Sequence, residues 1–191
     1  LFVIAVISCD MCTTAINNTR DYHKAVDKEY QQEENILGKH DLDFKQMVVI
    51  ILTLLLISIL FSLVLVWRTD FALLPMGVVC FLIGIFYTFG PMPLSRLPLG
   101  EVFSGVTMGF GIFFLAVYIQ SPSDFLVTAW SLGQGVVNID WYFAETVKIF
   151  LMSIPLICLI ATIMLANNIC DYEQDLRNHR NTLVHYLQPK A

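Results

Sequence analysis

The sequence predicts an all-α protein, a multi-pass transmembrane helical bundle with about five spans in this chain. Three observations indicate this fold class. The chain of 191 residues is 57% hydrophobic and only 14% charged, whereas soluble domains have about 25% charged residues. Its mean hydropathy is +0.68. Uncharged apolar stretches recur along the chain, and most have the length of a helix that crosses a bilayer. This composition excludes an ordinary soluble domain and a disordered chain.

The predicted spans follow one another along the chain. Residues 1–16 are apolar except for Asp10 and are predicted to form part of a first helix. Four uncharged stretches are predicted as the other spans: residues 47–67, 71–92, 102–120 and 149–170. The fourth span contains Gly105, Gly109 and Gly111, which indicate close packing against another helix.

Residues 121–140 are predicted not to cross the membrane. They contain Pro122, Asp124 and Asn138, and we expect a loop with a short interfacial helix. With five crossings, most basic residues fall on one side, which the positive-inside rule makes cytoplasmic. Nine of the 11 basic residues are on that side: Arg20, Lys24, Lys28, Lys39, Lys45, Arg96, Arg177, Arg180 and Lys190. We therefore expect a cell-membrane protein whose polar residues gather at the cytoplasmic face.

The pattern N-N-x-x-D-Y occurs twice at the predicted cytoplasmic ends of apolar helices, in residues 17–22 and 167–172. A further acid follows each copy, Asp27 after the first and Asp175 after the second. The Asn and Asp of each copy are four residues apart, so on a helix they lie on one face. A single copy is equally well explained by interfacial or capping residues. Two copies on the same side favour a functional site.

Two rows of carboxylates that face each other across a cavity would suit Mg²⁺. This ion takes oxygen ligands and commonly binds through one or two carboxylates together with the phosphates of a substrate. Basic side chains nearby would bind the remaining phosphate charge. The candidates are Arg20, Lys24, Lys28, Arg96, Arg177 and Arg180. The pattern thus indicates a site for Mg²⁺ and a diphosphate.

Three segments together resemble the UbiA superfamily of intramembrane aromatic prenyltransferases. They are residues 17–27, residues 87–94 with Leu99-Gly100-Glu101, and residues 166–175 followed by Thr182-Leu183. The likeness is greatest to the branch that prenylates 1,4-dihydroxy-2-naphthoate in menaquinone synthesis. Two positions depart from the family pattern: Asn18 stands where many members have Asp, and Cys170 where many have Arg.

The resemblance implies a UbiA-like bundle of about nine spans, so we expect residues 1–191 to be a single transmembrane prenyltransferase domain, incomplete at both ends. It implies a Mg²⁺-dependent enzyme that binds a polyprenyl diphosphate and an aromatic acceptor. The implied metal ligands are Asn17, Asp21, Asp27, Asn167, Asp171 and Asp175. The implied catalytic residues are Asp21, Asp171 and Tyr87, and the implied diphosphate-binding residues are Lys24, Arg96 and Arg180.

Alternative functions remain at this level. The acceptor could be another aromatic compound such as 4-hydroxybenzoate. Repeated polar motifs at helix ends also occur in transporters, and a fragment without activity of its own is a third interpretation. The expected partners are the two substrates and the lipid bilayer. A nucleic-acid partner is not expected, because the net charge is −5 and a nucleic-acid binder would need a basic face.

Overall fold

A computed structural model describes residues 1–88, 94, 97–131, 136–178 and 182–187 of the chain. Its helices and strands are α1 (Phe2–Lys24), α2 (Ile36–Lys39), α3 (Phe44–Arg68), α4 (Leu73–Thr88), α5 (Gly100–Tyr118), β1 (Leu126–Ser131), β2 (Val136–Trp141), α6 (Phe143–Cys170), α7 (Tyr172–Arg177) and α8 (Leu183–Leu187). Two of the implied diphosphate-binding residues, Arg96 and Arg180, lie outside the described residues.

The predicted all-α, multi-pass membrane bundle is confirmed. Within the described ranges, four helices are long and apolar enough to cross a membrane: α1, α3, α5 and α6. The fifth apolar helix, α4, has 16 residues. Helices α1 and α6 extend beyond the apolar stretches 1–16 and 149–170, because polar residues continue the helical turns at their ends. The first acidic motif therefore lies within the last turns of α1.

The surface of the bundle is apolar, and several of its most buried side chains are polar. On α3 and α6 only 6% of the most apolar part of each helix is buried. Ser58 is completely buried, and its hydroxyl donates a hydrogen bond to the carbonyl oxygen of Ala5, at 2.8 Å, where α3 packs against α1. Small polar residues commonly join helices in this way inside membranes.

Helices α5 and α6 approach each other at two glycines. A Cβ atom on Gly105 would lie 2.9 Å from the carbonyl oxygen of Ile157, and one on Gly109 would lie 2.7 Å from the Cα atom of Ile157. Space of this kind is available only to glycine. The predicted close packing is thus found at these two positions. At Gly111 a Cβ would meet nothing within 4 Å, so that glycine takes no part in it.

In the described residues of segment 121–140, the structure has a hairpin where we predicted a loop with a short interfacial helix. After a single 3₁₀ turn (Pro122–Asp124), β1 and β2 form an antiparallel hairpin with Leu126 opposite Trp141. The prediction of an interfacial helix is wrong because β-branched and aromatic residues make up half or more of each strand, and such residues favour extended backbone. The hairpin lies at the end of the bundle opposite the acidic motifs, which we call the far end. There the Tyr118 hydroxyl donates a hydrogen bond to Asp70 at 3.2 Å.

Candidate functional site

The structure brings the first and second acidic motifs together at one end of the bundle. The carboxyl end of α1, the following turn and α7 surround a narrow cleft, which we call the motif cleft. Its lining residues are Asp21, Lys24, Ala25, Tyr30, Gln174, Asp175 and Asn178. The two motifs are 150 residues apart in sequence, so this contact depends on how the spanning helices pack.

The first motif contributes Asp21 from within the last turns of α1. Asp21 is only 6% exposed, and the side-chain amide of Asn17, one turn earlier, donates a hydrogen bond to its Oδ2 atom at 3.1 Å. The predicted sharing of one helix face is therefore present as a direct contact. Lys24, one turn further on, lines the motif cleft with an exposed side chain.

The second motif is divided between the cleft and the surface. Asp175, on α7, is 3% exposed and lines the motif cleft. Asn167 and Asp171 are exposed, although the backbone bonds Asp171 N–H to Asn167 and Asp175 N–H to Asp171 continue the helical pattern. The side chains of the predicted row therefore do not share one environment: Asp175 is buried, whereas Asn167 and Asp171 are exposed. The spacing alone did not reveal this division.

Asp27 is held in contacts with α7 and the following turn. Its Oδ2 atom lies 3.2 Å from Nη1 of Arg177, and its Oδ1 atom accepts a hydrogen bond from the Glu29 N–H group at 3.0 Å. Asp27 does not line the motif cleft. In this arrangement the Asp27 carboxylate ties the loop after α1 to α7.

Asn178 joins the two motifs and was missed by sequence reasoning. Its Oδ1 atom accepts hydrogen bonds from the backbone N–H groups of Val26, at 3.1 Å, and Asp27, at 3.5 Å. Its side-chain amide donates to the carbonyl oxygen of Gln174 at 3.1 Å. Asn178 is 8% exposed. It lies three residues after Asp175, but no pattern in a single sequence shows that an asparagine there caps a turn about 150 residues away.

Glu101, in the first turn of α5, is a second residue to which the sequence analysis assigned no role. It is 3% exposed, and its Oε1 atom accepts a hydrogen bond from the side-chain amide of Asn168 at 2.7 Å. Asn168 belongs to the second N-N-x-x-D-Y copy. Thr182, which is 1% exposed, is another buried polar residue near this end. Tyr87, in the last turn of α4, is partly buried and does not line the motif cleft.

The donor set of the cleft suits one mode of Mg²⁺ binding. Among the described residues, no group of three or more His, Cys, Asp or Glu side chains could hold a metal ion by itself. Asp21 on α1 and Asp175 on α7, however, both line the motif cleft. Mg²⁺ commonly binds through one or two carboxylates and completes its octahedron with water and phosphate oxygens. The cleft has a volume of about 10 Å³, enough for about one water molecule. A diphosphate would therefore require side chains such as Lys24 to move.

The chain is a multi-pass helical membrane protein in which residues of two acidic motifs meet at one end of the bundle. The chain matches the UbiA prenyltransferase family over residues 1–191, and it belongs to that family. This confirms the resemblance found in the three sequence segments.

One curated protein is similar to this chain over most of the chain's length. The chain is 28% identical over 188 residues to the 1,4-dihydroxy-2-naphthoate octaprenyltransferase of Bacillus subtilis (strain 168). The alignment covers 96% of this chain and 54% of that protein. The chain thus spans about half the length of this curated relative. No solved structure matches the chain significantly.

Proposed function

We propose that the protein transfers a polyprenyl group from a polyprenyl diphosphate to an aromatic acceptor at the motif cleft. The observation that carries this proposal is the convergence of Asp21 and Asp175, two buried carboxylates from separate motifs, beside Lys24. Buried acids of membrane proteins commonly mark a functional site, and Mg²⁺ commonly binds through one or two carboxylates together with substrate phosphates. The UbiA family match supports this proposal.

Each part of the site has a distinct task in the proposed reaction. Asp21 and Asp175 would hold Mg²⁺, which when bound stabilises the negative charge on the departing diphosphate. We propose that Asp171 and Asn167, which are exposed, also act as metal ligands. Lys24 would pair with the diphosphate oxygens. We also propose Tyr87, at the end of α4, as a neighbour of the diphosphate.

The apolar helices would provide the water-free surroundings that the transfer step needs. The bond between the prenyl C1 atom and the diphosphate oxygen breaks, leaving a cation-like allylic carbon that water would quench. Apolar walls exclude that water, and they also accommodate the isoprenoid chain. The ring carbon of the acceptor then forms a bond to C1 of the prenyl group. With 1,4-dihydroxy-2-naphthoate, that ring carbon loses its carboxylate as CO₂, diphosphate is released, and the product is the hydroquinone demethylmenaquinol.

We infer the naphthoate acceptor from the name of the Bacillus subtilis relative. We also propose that the motif cleft faces the cytoplasm at the cell membrane. The reason is the positive-inside rule: nine of the 11 basic residues belong to the side of the motifs.

The test is a transfer assay with the protein expressed from its complete gene and reconstituted in lipid vesicles. With Mg²⁺, a polyprenyl diphosphate and 1,4-dihydroxy-2-naphthoate, we expect demethylmenaquinol, detected by mass spectrometry as such or, after oxidation in air, as demethylmenaquinone. Asp21→Asn and Asp175→Asn should each lower kcat/KM about 100-fold or more, because each removes a charge that stabilises the leaving group. Asp124→Asn is the matched control: this exposed acid lies at the far end and its loss should leave the rate unchanged.

Several results would count against the proposal. Absence of product with every aromatic acceptor would refute prenyl transfer, and so would full activity in the Asp21→Asn and Asp175→Asn double variant. Product from 4-hydroxybenzoate alone would retain the reaction class and replace the acceptor.

A further inference from the structure

A buried carboxylate that the proposed reaction does not use lies next to the second motif. Glu101 is 3% exposed, and its Oε1 atom accepts the Asn168 side-chain hydrogen bond at 2.7 Å. Its Oε2 atom is buried and has no hydrogen-bond partner within the described part of the chain. Taking a carboxylate out of water with a partner on one oxygen only is unfavourable. A buried acid in this state calls for an explanation other than stability.

The position of the bond suggests that explanation. Asn168 lies between Asn167 and Asp171, in the last turn of α6. The neighbouring side chains of that turn, Asn167 and Ile169, are exposed, so lateral packing on them does little to hold the turn in place. The bond from Asn168 reaches a residue 67 positions away, in the first turn of α5.

The body of α5 is itself firmly placed against α6. At Gly105 and Gly109 the two helices approach to backbone contact distance. Gly105 is four residues from Glu101, about one helical turn or 6 Å along the axis. The start of α5 is therefore a rigid support, and the Glu101 carboxylate transmits its position to the end of α6.

We propose that Glu101 is a positioning residue for the second acidic motif, and this inference rests on the proposed function. By accepting the Asn168 hydrogen bond, Glu101 sets the rotation of the last turn of α6 and hence the direction of Asn167 and Asp171. It does not touch the substrates. Its loss acts on metal and diphosphate binding and leaves the affinity for the aromatic acceptor unchanged.

The test compares Glu101→Ala, Glu101→Gln and Asn168→Ala in the full-length protein in lipid vesicles. Glu101→Ala and Asn168→Ala should each raise the Mg²⁺ concentration for half-maximal activity about 10- to 100-fold, the range for residues that orient metal ligands. The KM for the polyprenyl diphosphate should rise with it, and the KM for the acceptor should not. Glu101→Gln keeps an oxygen that can accept the Asn168 bond, so it should restore most of the affinity for Mg²⁺.

Two further measurements separate this role from a structural one. The double variant Glu101→Ala with Asn168→Ala should be no worse than the worse single variant, since both remove the same bond. Binding of Mg²⁺ with inorganic diphosphate, measured by calorimetry, should weaken in the same order as activity. If wild-type protein binds this pair but makes no product, and the variants weaken that binding in the expected order, the proposed function fails while the positioning role stands.

Other outcomes overturn the inference directly. Glu101→Gln as defective as Glu101→Ala would show that the charge matters and the bond does not. Additive effects in the double variant, or a raised KM for the acceptor alone, would equally exclude positioning through Asn168. Should Glu101→Ala fail to fold, the comparison of Glu101→Gln with Asn168→Ala decides the question.

Discussion

Gly109 on α5 lies so close to α6 that an alanine side chain has no room there. A Cβ atom at this position would lie 2.7 Å from the Cα atom and 2.8 Å from the backbone nitrogen of Ile157, where ordinary contacts begin at 3.4 Å. The obstructing atoms belong to the backbone and cannot rotate away. The substitution Gly109→Ala therefore forces the two helices apart by about 0.7 Å, the difference between an ordinary contact and the shorter distance that this Cβ would have.

The cost follows from the contacts that this shift weakens. A gap of about 0.5–1 Å loses about a quarter to a half of the dispersion energy of each contact, and overpacking of this kind costs about 1–3 kcal/mol. In a chain of this size each kcal/mol lowers the Tm by about 2–4 °C. The shift also moves the start of α5 away from Asn168, so we expect prenyl-transfer activity to fall as well.

Thermal unfolding in detergent micelles, followed by helical circular dichroism, measures this effect. Gly111→Ala is the matched control, because it makes the same chemical change two residues later, where a Cβ meets nothing within 4 Å. Alanine favours helix over glycine by up to about 1 kcal/mol, so Gly111→Ala should leave the Tm unchanged or raise it. If Gly109→Ala unfolds at the wild-type temperature, or if both variants lose the same stability, the close approach of α5 and α6 is refuted.

Two further predictions concern the polar contacts around the motif cleft. Asn178→Ala deprives the Val26 N–H group of its acceptor and should lower the free energy of unfolding by about 1–3 kcal/mol. Gln174→Ala is the control. It loses only an exposed bond to Glu34 and should lower the free energy of unfolding by no more than about 0.5 kcal/mol. Equal losses from these two variants would contradict the role of Asn178. Asn35→Ala removes the side chain that caps α2 and should cost about 0.5–2 kcal/mol, measured by thermal unfolding; an unchanged Tm would contradict it.

The spans and the motif ends could be predicted because their signals are local. Uncharged stretches such as residues 47–67 report directly on the preference for lipid over water, so α3 was found within a few residues of its observed ends. The i, i+4 spacing of Asn17 and Asp21 likewise reports helix geometry, and their contact follows from it. The strands of residues 126–131 and 136–141 were not predicted, because turn-forming and polar residues such as Pro122, Asp124 and Asn138 indicated a loop.

The sequence by itself determined a multi-pass helical membrane protein of the UbiA family, with its two acidic motifs at the ends of spanning helices. The tertiary structure alone decided which motif residues meet. It placed Asp175 in the motif cleft and left Asp171 exposed. It also brought Asn178 into contact with Val26 and Glu101 into contact with Asn168. Composition and spacing describe each helix on its own, whereas a side chain's partners depend on how that helix is rotated and how closely it packs. How closely a glycine such as Gly109 allows two helices to approach depends on which helix packs against it.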